Sequence, residues 1–569
     1  MAGKFQVTGR NPGALFTLKL HRGEGMTLLA MNWKQGKPPD DFVGFAIEYQ
    51  EPGGEKFFTL KNRLSFRRPD GKVDRAKKST LLAPIQKFRW VHFPRNAELA
   101  GELVYRVSPV FMNAADELSY GEPQQASIEL RRETYPGQLN VSFTRGFVSS
   151  QAFVDFYESK GPIKTLLPTK KDDPLTFVPT HPEAQRALAW MGFEARSAIL
   201  EVLDRAVADP KAEVRVVAYD LNEPEVVSRL EALGGRLKIL IDDSGSHGKP
   251  TSAEAQAAAR LAASKAQVRR QHLSQLQHNK TIVVDGPAVK TVVCGSTNFS
   301  WRGFFVQSNN AMILQGETPV ARFRAAFDAY WPTEHASDFS GTPSATWASL
   351  GLGGINAQVT FSPHASSNAA LRDVAADIRT NTRSSLFYSL SFLYQTPGPI
   401  LDAIKAVTAD TSRFVYGMSD RHVGGLDLQK PDGNVSPVFP TALSKHLPEP
   451  FRSEPTGGNG VRLHHKFVVI DFDRPSARVY LGSYNFSGTA DTKNGENLLL
   501  VRDRRVAVAY LVEALRIFDH YHFRVAQGEA KGAKRDLVLA KPPRQQGEEP
   551  WWAEDWRDRN KIRDRELFS

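Results

Sequence analysis

Cysteine is almost absent from this chain of 569 residues, because Cys294 is the only one. A single cysteine excludes a disulfide within the chain and any metal site built from several thiolates. Cys294 ends the apolar run VVC directly before a glycine. This position predicts a buried thiol with a packing role rather than a nucleophile.

Long apolar runs are also missing. No stretch of 18 or more apolar residues occurs, so the sequence predicts no transmembrane segment. The N-terminal residues, MAGKFQVTGRNPG, lack the apolar centre of a secretory signal. We therefore expect a cytoplasmic protein.

Acidic residues are the scarcer charged class. The chain has 73 lysine and arginine residues against 62 aspartate and glutamate residues, which gives a net charge of +11 and a pI near 9.4. Its length allows about three or four domain-sized units, and a hydrophobic content of 41% is that of an ordinary globular protein. The positive excess suits an anionic partner, either nucleic acid or a phospholipid surface.

One pattern, His-x-Lys followed by four residues and an aspartate, occurs twice. The first copy is HNKTIVVD at residues 278–285, and the second is HHKFVVID at residues 464–471. A GSxNFS segment follows each copy at a similar distance, at residues 295–300 and 482–487. A single copy would be a weak signal, but two copies with the same companion segment indicate one site built from two halves.

The duplication extends beyond the motifs. The segment FVPTHPEAQRAL from Phe177 is similar to FSPHASSNAAL from Phe361, and both regions alternate apolar strands with amphipathic helices. The sequence therefore predicts two α/β halves, residues 146–340 and 341–530, that pack as a pseudo-dimer. Because the two halves complete one site, we expect a monomer.

Residues 1–145 have a different pattern, in which short apolar runs alternate with turn motifs such as QEPGGEK and RRPDGK. This pattern predicts an antiparallel β-sandwich. Trp33 ahead of an FAIEY strand, with a later VYRV strand, is similar to a fibronectin type III module, and a generic β-sandwich is the alternative. Residues 531–569 form a charged tail, and its PWWAEDW segment is expected to dock on the body of the protein.

Insertions distinguish the two halves. An alanine-rich basic helix is predicted from Ser252 to Gln277, and its basic residues are Arg260, Lys265, Arg269 and Arg270. The second half instead has the Gly/Pro-rich stretch GGLDLQKPDGNVSPVFP before its motif. Long segments beside a site often form its walls or lid, and a packing role is the alternative.

The chemistry of the doubled motif follows from its residue types. The histidine and lysine of each copy lie two apart at the start of a strand, so their side chains project from the same face. A glycine allows close approach of the backbone, and hydroxyl and amide donors follow it. Two imidazoles, two ammonium groups and two amides suit a phosphodiester, whose non-bridging oxygens need cations and donors. One imidazole can attack phosphorus while the other protonates the leaving oxygen.

On these motifs the chain resembles the phospholipase D superfamily in its two-motif, single-chain form, over about residues 175–525. The resemblance implies metal-independent hydrolysis in two steps through a covalent phosphohistidine. It implies that His278 is the nucleophile, and that His464 is the general acid which then activates water. The implied phosphate-binding residues are Lys280, Lys466, Asn298, Asn485, Ser296 and Ser483.

The same resemblance implies roles for Asn309 and Glu496, which face each other when the halves are aligned from their GSxNFS glycines. Members of the superfamily commonly have a carboxylate or amide here that orients a catalytic histidine. Glu496 would then support His278 and Asn309 would support His464, across the halves; pairing within each half is the alternative. An anionic partner raises the pKa and basicity of an imidazole, which fits a nucleophile.

Other polar residues are assigned to the fold rather than to the reaction. Asp285 and Asp471 close the motifs and are expected to brace the structure. His465 should point away from His464, because neighbouring strand residues face opposite sides. Structural or solvent-facing roles are also expected for His181, His247 and His364.

Two other kinds of site are disfavoured. A metal centre is improbable because the repeated histidines come with lysines and no carboxylate cluster accompanies them. A serine hydrolase is disfavoured because no GxSxG segment surrounds Ser296 or Ser483. We expect no metal and no cofactor.

The substrate is the least determined feature. The net positive charge and the basic helix favour nucleic acid, so the prediction is a cytoplasmic nuclease-type phosphodiesterase. Phospholipid hydrolysis or phosphatidyl transfer is the alternative, weakened by the missing membrane helices and signal peptide. A non-catalytic phosphate-binding module is the third possibility.

Overall fold

The structure is a computed structural model in which the chain divides into two compact units. The first comprises Met1–Arg132, Lys430–Asn434 and Val508–Ser569, and the second comprises Glu133–Gln429 and Val435–Ala507. The structure describes residues 4–74, 78–94, 96–130, 133–146, 151–168, 175–367, 369–391, 393, 397–420, 426–438 and 463–569.

Two antiparallel sheets form the N-terminal part of the first unit. The strands of one sheet are, in spatial order, Gln6–Thr8, Phe16–Arg22, Thr27–Trp33 and Arg89–His92. Those of the other are Phe57–Thr59, Phe42–Gln50 and Glu102–Met112, the last of which also pairs with Leu118–Tyr120 and Gln124–Glu129. An antiparallel two-sheet domain is therefore present, and its relation to fibronectin type III stays a prediction.

The two sheets share one apolar core. Buried and half-buried residues alternate along strands such as Phe16–Arg22, which directs one face of each strand inward. The rings of Phe16 and Phe45, one from each sheet, lie 5.0 Å apart. The C-terminal segment joins the same core: Trp552 is buried in it, and the Trp551 ring stacks on Phe88 at 5.2 Å. The helix Arg559–Leu567 follows.

Each half of the second unit is built on its own mixed sheet. Within the described residues, the first sheet has seven strands in the order Leu139–Phe143, Asn310–Gln315, Lys290–Gly295, Lys280–Asp285, Glu213–Ala218, Leu237–Ile241 and Gln267–Arg270. The second has nine, in the order Ala348–Ser349, Asn356–Ser362, Glu496–Arg502, Arg478–Gly482, Lys466–Ile470, Ser385–Leu390, Phe414–Asp420, Leu426–Gln429 and Val435–Val438. The six middle strands of the second sheet repeat the order and pairing of six in the first.

Helices cover these sheets, which explains why their central strands are continuously apolar. The helices of the first half are Gln151–Glu158, Ala184–Ala208, Pro224–Leu233, Ala253–Ala263, Glu317–Tyr330 and Ala336–Ser340, with a π-helical turn at Arg302–Val306. Those of the second half are Ala370–Asn381, Pro399–Ala409 and Gly488–Thr492, and the helix Arg504–Gly532 begins at the end of the second unit and belongs to the first unit from Val508 onward. Side-chain caps mark some starts: the Ser252 hydroxyl accepts from the Ala255 N–H at 3.1 Å.

The first half begins earlier than the sequence predicts. Phe143 pairs with Asn310 in the first sheet, and Phe361 pairs with the equivalent Asn497 in the second. The counterpart of Phe361 is therefore Phe143, whereas Phe177 lies outside any strand. The strand Leu139–Phe143 lies within residues 1–145, the predicted β-sandwich, but it belongs to the first half because it pairs at the open edge of that sheet.

The predicted basic helix Ser252–Gln277 is too long. The helix ends at Ala263, and the chain then forms the edge strand Gln267–Arg270, which pairs in parallel with Leu237–Ile241. The alanine-rich composition covers only the first part of the segment, and the β-branched Val268 lies in the strand. The second-half insertion forms a hairpin in its described residues, 426–438, and its remaining residues lie outside the described part.

Among the residues that the structure describes, no helix combines the length and apolar character needed to cross a membrane.

Candidate active site

Each motif histidine lies directly before a central strand of its sheet. His278 precedes the strand Lys280–Asp285, and His464 precedes Lys466–Ile470. Both strands are buried at nearly every position, so they provide rigid supports for the side chains at their starts. The side chains of His278 and His464 are themselves about 95% buried, with relative exposures of 5% and 6%.

The two halves meet at these histidines through main-chain hydrogen bonds. The Gly495 N–H donates to the Leu276 carbonyl at 2.9 Å, and the His464 N–H donates to the Ser308 carbonyl at 3.1 Å. Each bond joins the chain near one motif histidine to the chain beside Glu496 or Asn309 of the other half. The contacts repeat with approximate twofold symmetry, so both motifs face one volume.

The orienting contacts of the imidazoles cross between the halves. His278 Nδ1 lies 2.7 Å from Glu496 Oε2, and His464 Nδ1 lies 2.8 Å from Asn309 Oδ1. His464 Nδ1 is also 3.1 Å from the Ser296 carbonyl oxygen. Because Nδ1 of each ring is occupied, Nε2 is the nitrogen left for a substrate. The ring centroids are 6.3 Å apart, which leaves room for a group between them.

The two motif lysines are completely buried beside the imidazoles. Lys280 Nζ donates to the His278 carbonyl, and Lys466 Nζ donates to the His464 carbonyl at 2.9 Å. Lys280 Nζ also lies 4.6 Å from the centre of the Tyr219 ring. Two buried lysine side chains beside the imidazoles supply positive charge at this point, which favours an anionic ligand.

The two GSxNFS segments form turns that only glycine allows at the first position. Gly295 has φ +128°, and a side-chain carbon there would lie 2.6 Å from the Asn310 carbonyl oxygen. Gly482 has φ +142° and would meet the Asn497 carbonyl in the same way. These close approaches bring Asn298 and Asn485 into the site, where their carboxamide oxygens are buried without a hydrogen-bond partner in the described part of the chain.

The serine hydroxyls of these turns make hydrogen bonds within the protein. The Ser296 hydroxyl donates to Asn309 Oδ1 at 3.0 Å and accepts from the Asn310 N–H at 3.0 Å, and it is fully buried. Ser483 accepts from the Asn497 N–H at 3.0 Å and binds the Glu496 carboxyl group. Both hydroxyls hold the residues that orient the histidines, and the predicted phosphate-binding role of Ser296 and Ser483 stays a prediction.

Burial and positive charge lower the pKa of both motif histidines. For His278 the causes after burial are Lys280, Lys466 and His464, and for His464 they are mainly the two lysines. The expectation that Glu496 raises the pKa of His278 is wrong in this site, because desolvation and the lysine charges outweigh the carboxylate. Both imidazoles are consequently neutral in the free protein.

Glu496 and Lys280 are both shifted toward their neutral forms. Burial raises the pKa of Glu496, although the Lys280 charge opposes this shift. Burial lowers the pKa of Lys280, opposed by Glu496, Asp220 and Asp242. The shifts have one cause, since desolvation penalises every charge in a closed site. Strongly shifted titratable groups around a cavity are typical of catalytic sites.

The closing aspartates of the motifs hold the fold, and neither contacts the histidines in the described structure. Asp285 accepts from Lys290 Nζ at 2.8 Å and from Arg324 at 2.6 Å. Asp471 is buried and accepts from the main-chain N–H groups of Arg383 and Ser384 at 3.0 and 2.7 Å. These contacts are those of bracing residues.

Comparison with known proteins shows which family the matched residues resemble. Residues 202–331 match the family model described as cardiolipin synthase, PLD-like domain. A stretch of 48 residues is 42% identical to the phospholipase D of Rickettsia prowazekii (strain Madrid E) and 40% identical to that of Rickettsia felis. This chain contains a domain of the phospholipase D superfamily at residues 202–331. The 48-residue stretch is 8% of this chain and spans about a fifth (22%) of the length of those relatives.

Two solved structures are also similar to parts of the chain. Nuc from Salmonella typhimurium, a phospholipase D family member, is 29% identical over 24% of this chain and 88% of Nuc, with a TM-score of 0.22. The polyphosphate kinase of Porphyromonas gingivalis is 11% identical over 55% of this chain and 44% of the kinase, with a TM-score of 0.36.

Three of the remaining histidines have packing roles. His181 bonds main-chain carbonyls of Tyr157 and Gly161, at 3.1 Å each. His364 is buried against Asp491 at 2.8 Å. His465 lies beside the Phe143 ring, at 6.0 Å. Cys294 is buried, and burial raises the pKa of its thiol.

The basic residues expected to form a nucleic-acid contact are largely neutralised within the chain. Arg260 makes a two-bond ion pair with Glu231, at 2.7 and 2.8 Å. Arg269 pairs with Glu334 at 3.0 Å, and Arg270 donates to main-chain carbonyls. The segment therefore contributes much less free positive charge to the surface than its composition indicates.

Five residues near the histidines were not identified from the sequence: Tyr219, Asp220, Asp242, His247 and Arg302. Tyr219 and Asp220 follow the strand Glu213–Ala218, and the Tyr219 ring lies 4.7 Å from His278. Arg302 begins the π-helical turn, and its charge lowers the pKa of Asp220 and of His464. The available signal was the place of three of them, Tyr219, Asp220 and Asp242, just after strand ends, but of the five only Asp242 has the same residue type, Asp420, at the equivalent place in the second half.

Proposed function

We propose that this chain is a phosphodiesterase that cleaves a phosphodiester through a covalent phosphohistidine. The observation that carries the proposal is the pair of imidazoles, each held at Nδ1 by a side chain of the opposite half, with ring centroids 6.3 Å apart. Two buried lysines beside them supply the positive charge that a transferring phosphoryl group needs.

In the first step His278 Nε2 attacks phosphorus. The bond from phosphorus to the leaving oxygen breaks, and that oxygen takes its electron pair and a proton from His464 Nε2. The non-bridging oxygens lie against Lys280 and Lys466, whose charges offset the charge that develops in the transition state. The product of this step is a phosphorylated His278 and a free alcohol.

In the second step the same two residues act in reverse order. His464 Nε2, now neutral, takes a proton from a water molecule as the water oxygen attacks phosphorus. The P–N bond breaks and its electron pair returns to His278. The products are a phosphomonoester, a neutral His278 and a protonated His464, so the cycle balances without a metal ion or cofactor.

The lowered pKa values fit the two roles differently. A nucleophilic imidazole must be neutral, and the lowered pKa keeps His278 in that form. A general acid must be protonated, and His464 is neutral in the free site. A bound phosphodiester brings a negative charge between the lysines and raises the pKa of His464, so the acid gains its proton with the substrate.

A chromogenic diester separates these roles. In His464→Asn, bis-p-nitrophenyl phosphate should release a burst of about one equivalent of p-nitrophenol, because this leaving group needs no acid, and should then stop with a p-nitrophenyl phosphoryl group on His278. Mass spectrometry of the quenched protein locates this adduct. His278→Asn should give neither the burst nor the adduct.

The matched control is His181→Asn, which alters a histidine outside the site and should retain full turnover. A burst in His278→Asn with the adduct on His464 would exchange the two roles. Turnover by His278→Asn at the wild-type rate would overturn the covalent mechanism.

For the substrate we propose nucleic acid. The net charge of +11 and three cationic side chains around the histidines, those of Lys280, Lys466 and Arg302, suit a polyanion. The neutralised segment around Arg260 contributes little to this preference. Affinity should therefore depend on the site itself and on the general excess of positive charge.

Phospholipid is the second candidate, since a 48-residue stretch is 42% identical to a protein named phospholipase D. Parallel assays with labelled single- and double-stranded DNA, RNA and phosphatidylcholine vesicles, each with excess EDTA, distinguish the two. We expect cleavage of a nucleic acid that persists in EDTA. Cleavage of the vesicles alone would replace nucleic acid with phospholipid, and loss of all activity in EDTA would contradict the metal-independent reaction.

A further inference from the structure

A series of hydrogen-bonded polar side chains begins at Asn298 in the first half. Asn298 Nδ2 donates to Asp220 Oδ2 at 2.9 Å. Asp220 Oδ1 lies 3.2 Å from His247 Nε2, and His247 Nδ1 lies 2.9 Å from Asp242 Oδ1. The relative exposures of the three acidic and basic side chains are 14%, 13% and 0% in that order. We call Asp220, His247 and Asp242 the carboxylate–histidine chain.

The far end of the carboxylate–histidine chain reaches the backbone beside the proposed nucleophile. Asp242 Oδ2 accepts from the Gln277 N–H at 2.8 Å, and Gln277 directly precedes His278. The Tyr219 ring lies between the two histidines, 4.7 Å from the ring of His247 and 4.7 Å from that of His278. One continuous set of contacts therefore links a motif amide, the motif histidine and the strand end that holds it.

Hydrogen-bond rules fix the orientation of Asn298. An ionised carboxylate accepts hydrogen bonds and donates none, so the Asn298 amide nitrogen has to face Asp220. The charge and hydrogen bond of His247 lower the pKa of Asp220, although burial opposes this. Asp220 therefore remains ionised and prevents the Asn298 carboxamide from turning over.

The carboxylate–histidine chain also acts on Lys280. His247 lies between two carboxylates, which raise its pKa to about 10 although burial alone would lower it. Glu254 also lies beside Asp220 and His247, and burial raises the pKa of its carboxyl group. The carboxylates of Asp220 and Asp242 with one imidazolium leave a net negative charge beside Lys280. Burial lowers the pKa of Lys280, and Asp220 and Asp242 oppose that effect, together with Glu496. The positive groups facing the same lysine are Lys466, His278 and His464 when protonated, and Arg302.

The second half lacks the equivalent of Asp220. In the first sheet Ala218 pairs with Lys280, and in the second Leu390 pairs with Lys466. Counting on from these residues, the equivalent of Asp220 is residue 392, a phenylalanine in the sequence that lies outside the described residues. The equivalent of Asp242 is Asp420, since Ile241 and Ser419 pair with Ala218 and Leu390. The link from Asp220 to His247 is therefore what distinguishes the first half.

We propose that Asp220, His247 and Asp242 are positioning residues that lock the Asn298 carboxamide and place negative charge beside Lys280, which makes the first half the principal phosphate-holding half. The proposal rests on the proposed function for its meaning in catalysis. The geometry and charge it describes can be tested on the binding of an anion alone.

The test measures the affinity of the full-length protein for tungstate, a dianion over the whole range used, by calorimetry from pH 6 to 10. Wild-type affinity should fall on the alkaline side as Lys280 loses its proton. In Asp220→Asn the negative charge is reduced, so this fall should move to lower pH by about half a pH unit or more. In His247→Gln the positive charge between the two carboxylates is lost, so the negative charge beside Lys280 increases and the fall in affinity should move to higher pH.

Opposite displacements are the decisive readout, because a residue with only a structural role would not move the two profiles in opposite directions. The same series includes steady-state kinetics, in which Asp220→Asn should lower kcat/KM by roughly tenfold or more. Asp204→Asn is the matched control: Asp204 binds Arg229 at 2.7 Å on the surface of the same half, and its profiles should equal the wild-type ones.

Circular dichroism at each pH confirms that both variants are folded, and either variant alone can refute the proposal. Displacement of the two profiles in the same direction, or an unmoved profile in a folded variant, would overturn it. Absence of hydrolysis by the wild-type protein would instead count against the proposed function, while the tungstate profiles would still decide the role of the carboxylate–histidine chain.

Discussion

Glu496 and Asn309 occupy equivalent positions in the two halves, but only Glu496 has an ionisable side chain. Both accept from Nδ1 of a motif histidine in the opposite half, at 2.7 and 2.8 Å. Only the carboxyl group can carry a charge, and burial raises its pKa. The His278 side of the site can therefore exchange a proton with its orienting residue, whereas the His464 side cannot.

Replacement of Glu496 should separate activity from stability. In Glu496→Gln the group that can ionise against the positively charged phosphohistidine is lost, and with it a charge-assisted hydrogen bond worth about 1.5–3 kcal/mol, so kcat should fall roughly ten- to 100-fold. A folded-state pKa above the unfolded value means that stability falls as pH rises from about 4.5 to about 8, where Glu496 becomes ionised in a buried site. The variant lacks this cost, so its melting temperature relative to wild type should rise between pH 5 and pH 8.

The converse variant is the control. Asn309→Asp places a new carboxyl group in the equivalent buried position, and its melting temperature relative to wild type should fall over the same pH range. A Glu496→Gln protein that loses stability progressively toward pH 8 would show that the buried carboxylate is stabilising after all.

Repetition decided which site residues could be found from the sequence. The histidines, lysines and asparagines of the motifs, with Glu496 and Asn309, occupy matching places in two halves that can be aligned with each other. Asp220 and His247 occur once, so no alignment of the halves singles them out. The direction of the pKa shift of His278 could not be predicted from the sequence either, because it depends on how completely the site excludes water.

At the scale of the element, the two GSxNFS turns bring a strand end close to the neighbouring strand. Gly295 and Gly482 have positive φ, and the carbonyl of the adjacent strand occupies the space that a side chain would need. Both turns follow a central strand directly. The position of Asn298 and of Asn485 therefore depends on a backbone that other residues rarely adopt.

Substitution in one turn should consequently affect folding and activity together. Gly482→Ala forces a side-chain carbon against the Asn497 carbonyl at φ +142°, which should cost more than about 1 kcal/mol of unfolding free energy. Denaturant unfolding measures this loss. Gly488→Ala is the control, since Gly488 has open space around it in the adjoining helix and should tolerate alanine. Equal stabilities for the two variants would contradict the steric argument.

Elements with strong local patterns were predictable, and those defined by tertiary pairing were not. The central strands read as continuous apolar runs because helices cover both faces of their sheets. The strand Leu139–Phe143 was assigned to the wrong domain, since an edge strand is defined by the partner it finds. The predicted helix Ser252–Gln277 failed after Ala263 for a similar reason: Gln267–Arg270 pairs at the open edge beside Leu237–Ile241.

At the scale of the whole molecule, the first unit is assembled from both ends of the chain. Trp552, near the C-terminus, is buried in the core of the N-terminal sheets, and its indole N–H donates to the Pro39 carbonyl at 3.3 Å. The Trp551 N–H donates to the Phe42 carbonyl at 2.9 Å. The sequence indicated docking through the PWWAEDW segment, but not where on the molecule it would occur.

Loss of the Trp552 ring should destabilise the first unit. Trp552→Ala empties a buried aromatic site, and such changes cost about 3–5 kcal/mol. Guanidinium unfolding followed by circular dichroism should show an earlier transition. Phe58→Ala, at a side chain that is 40% exposed in the same β-sheet unit, is the comparison and should shift the transition much less. A similar shift in both would mean that the C-terminal tryptophans add little to the core.

The crossed contacts of His278 and His464 have a consequence for how such a chain can diverge. In a dimer of identical subunits, one residue type must serve both histidines, so every substitution occurs at both positions at once. Fusion of the two copies in a single chain removes that constraint. A glutamate can then orient one histidine and an asparagine the other. The two motif copies can therefore take different roles in one shared site.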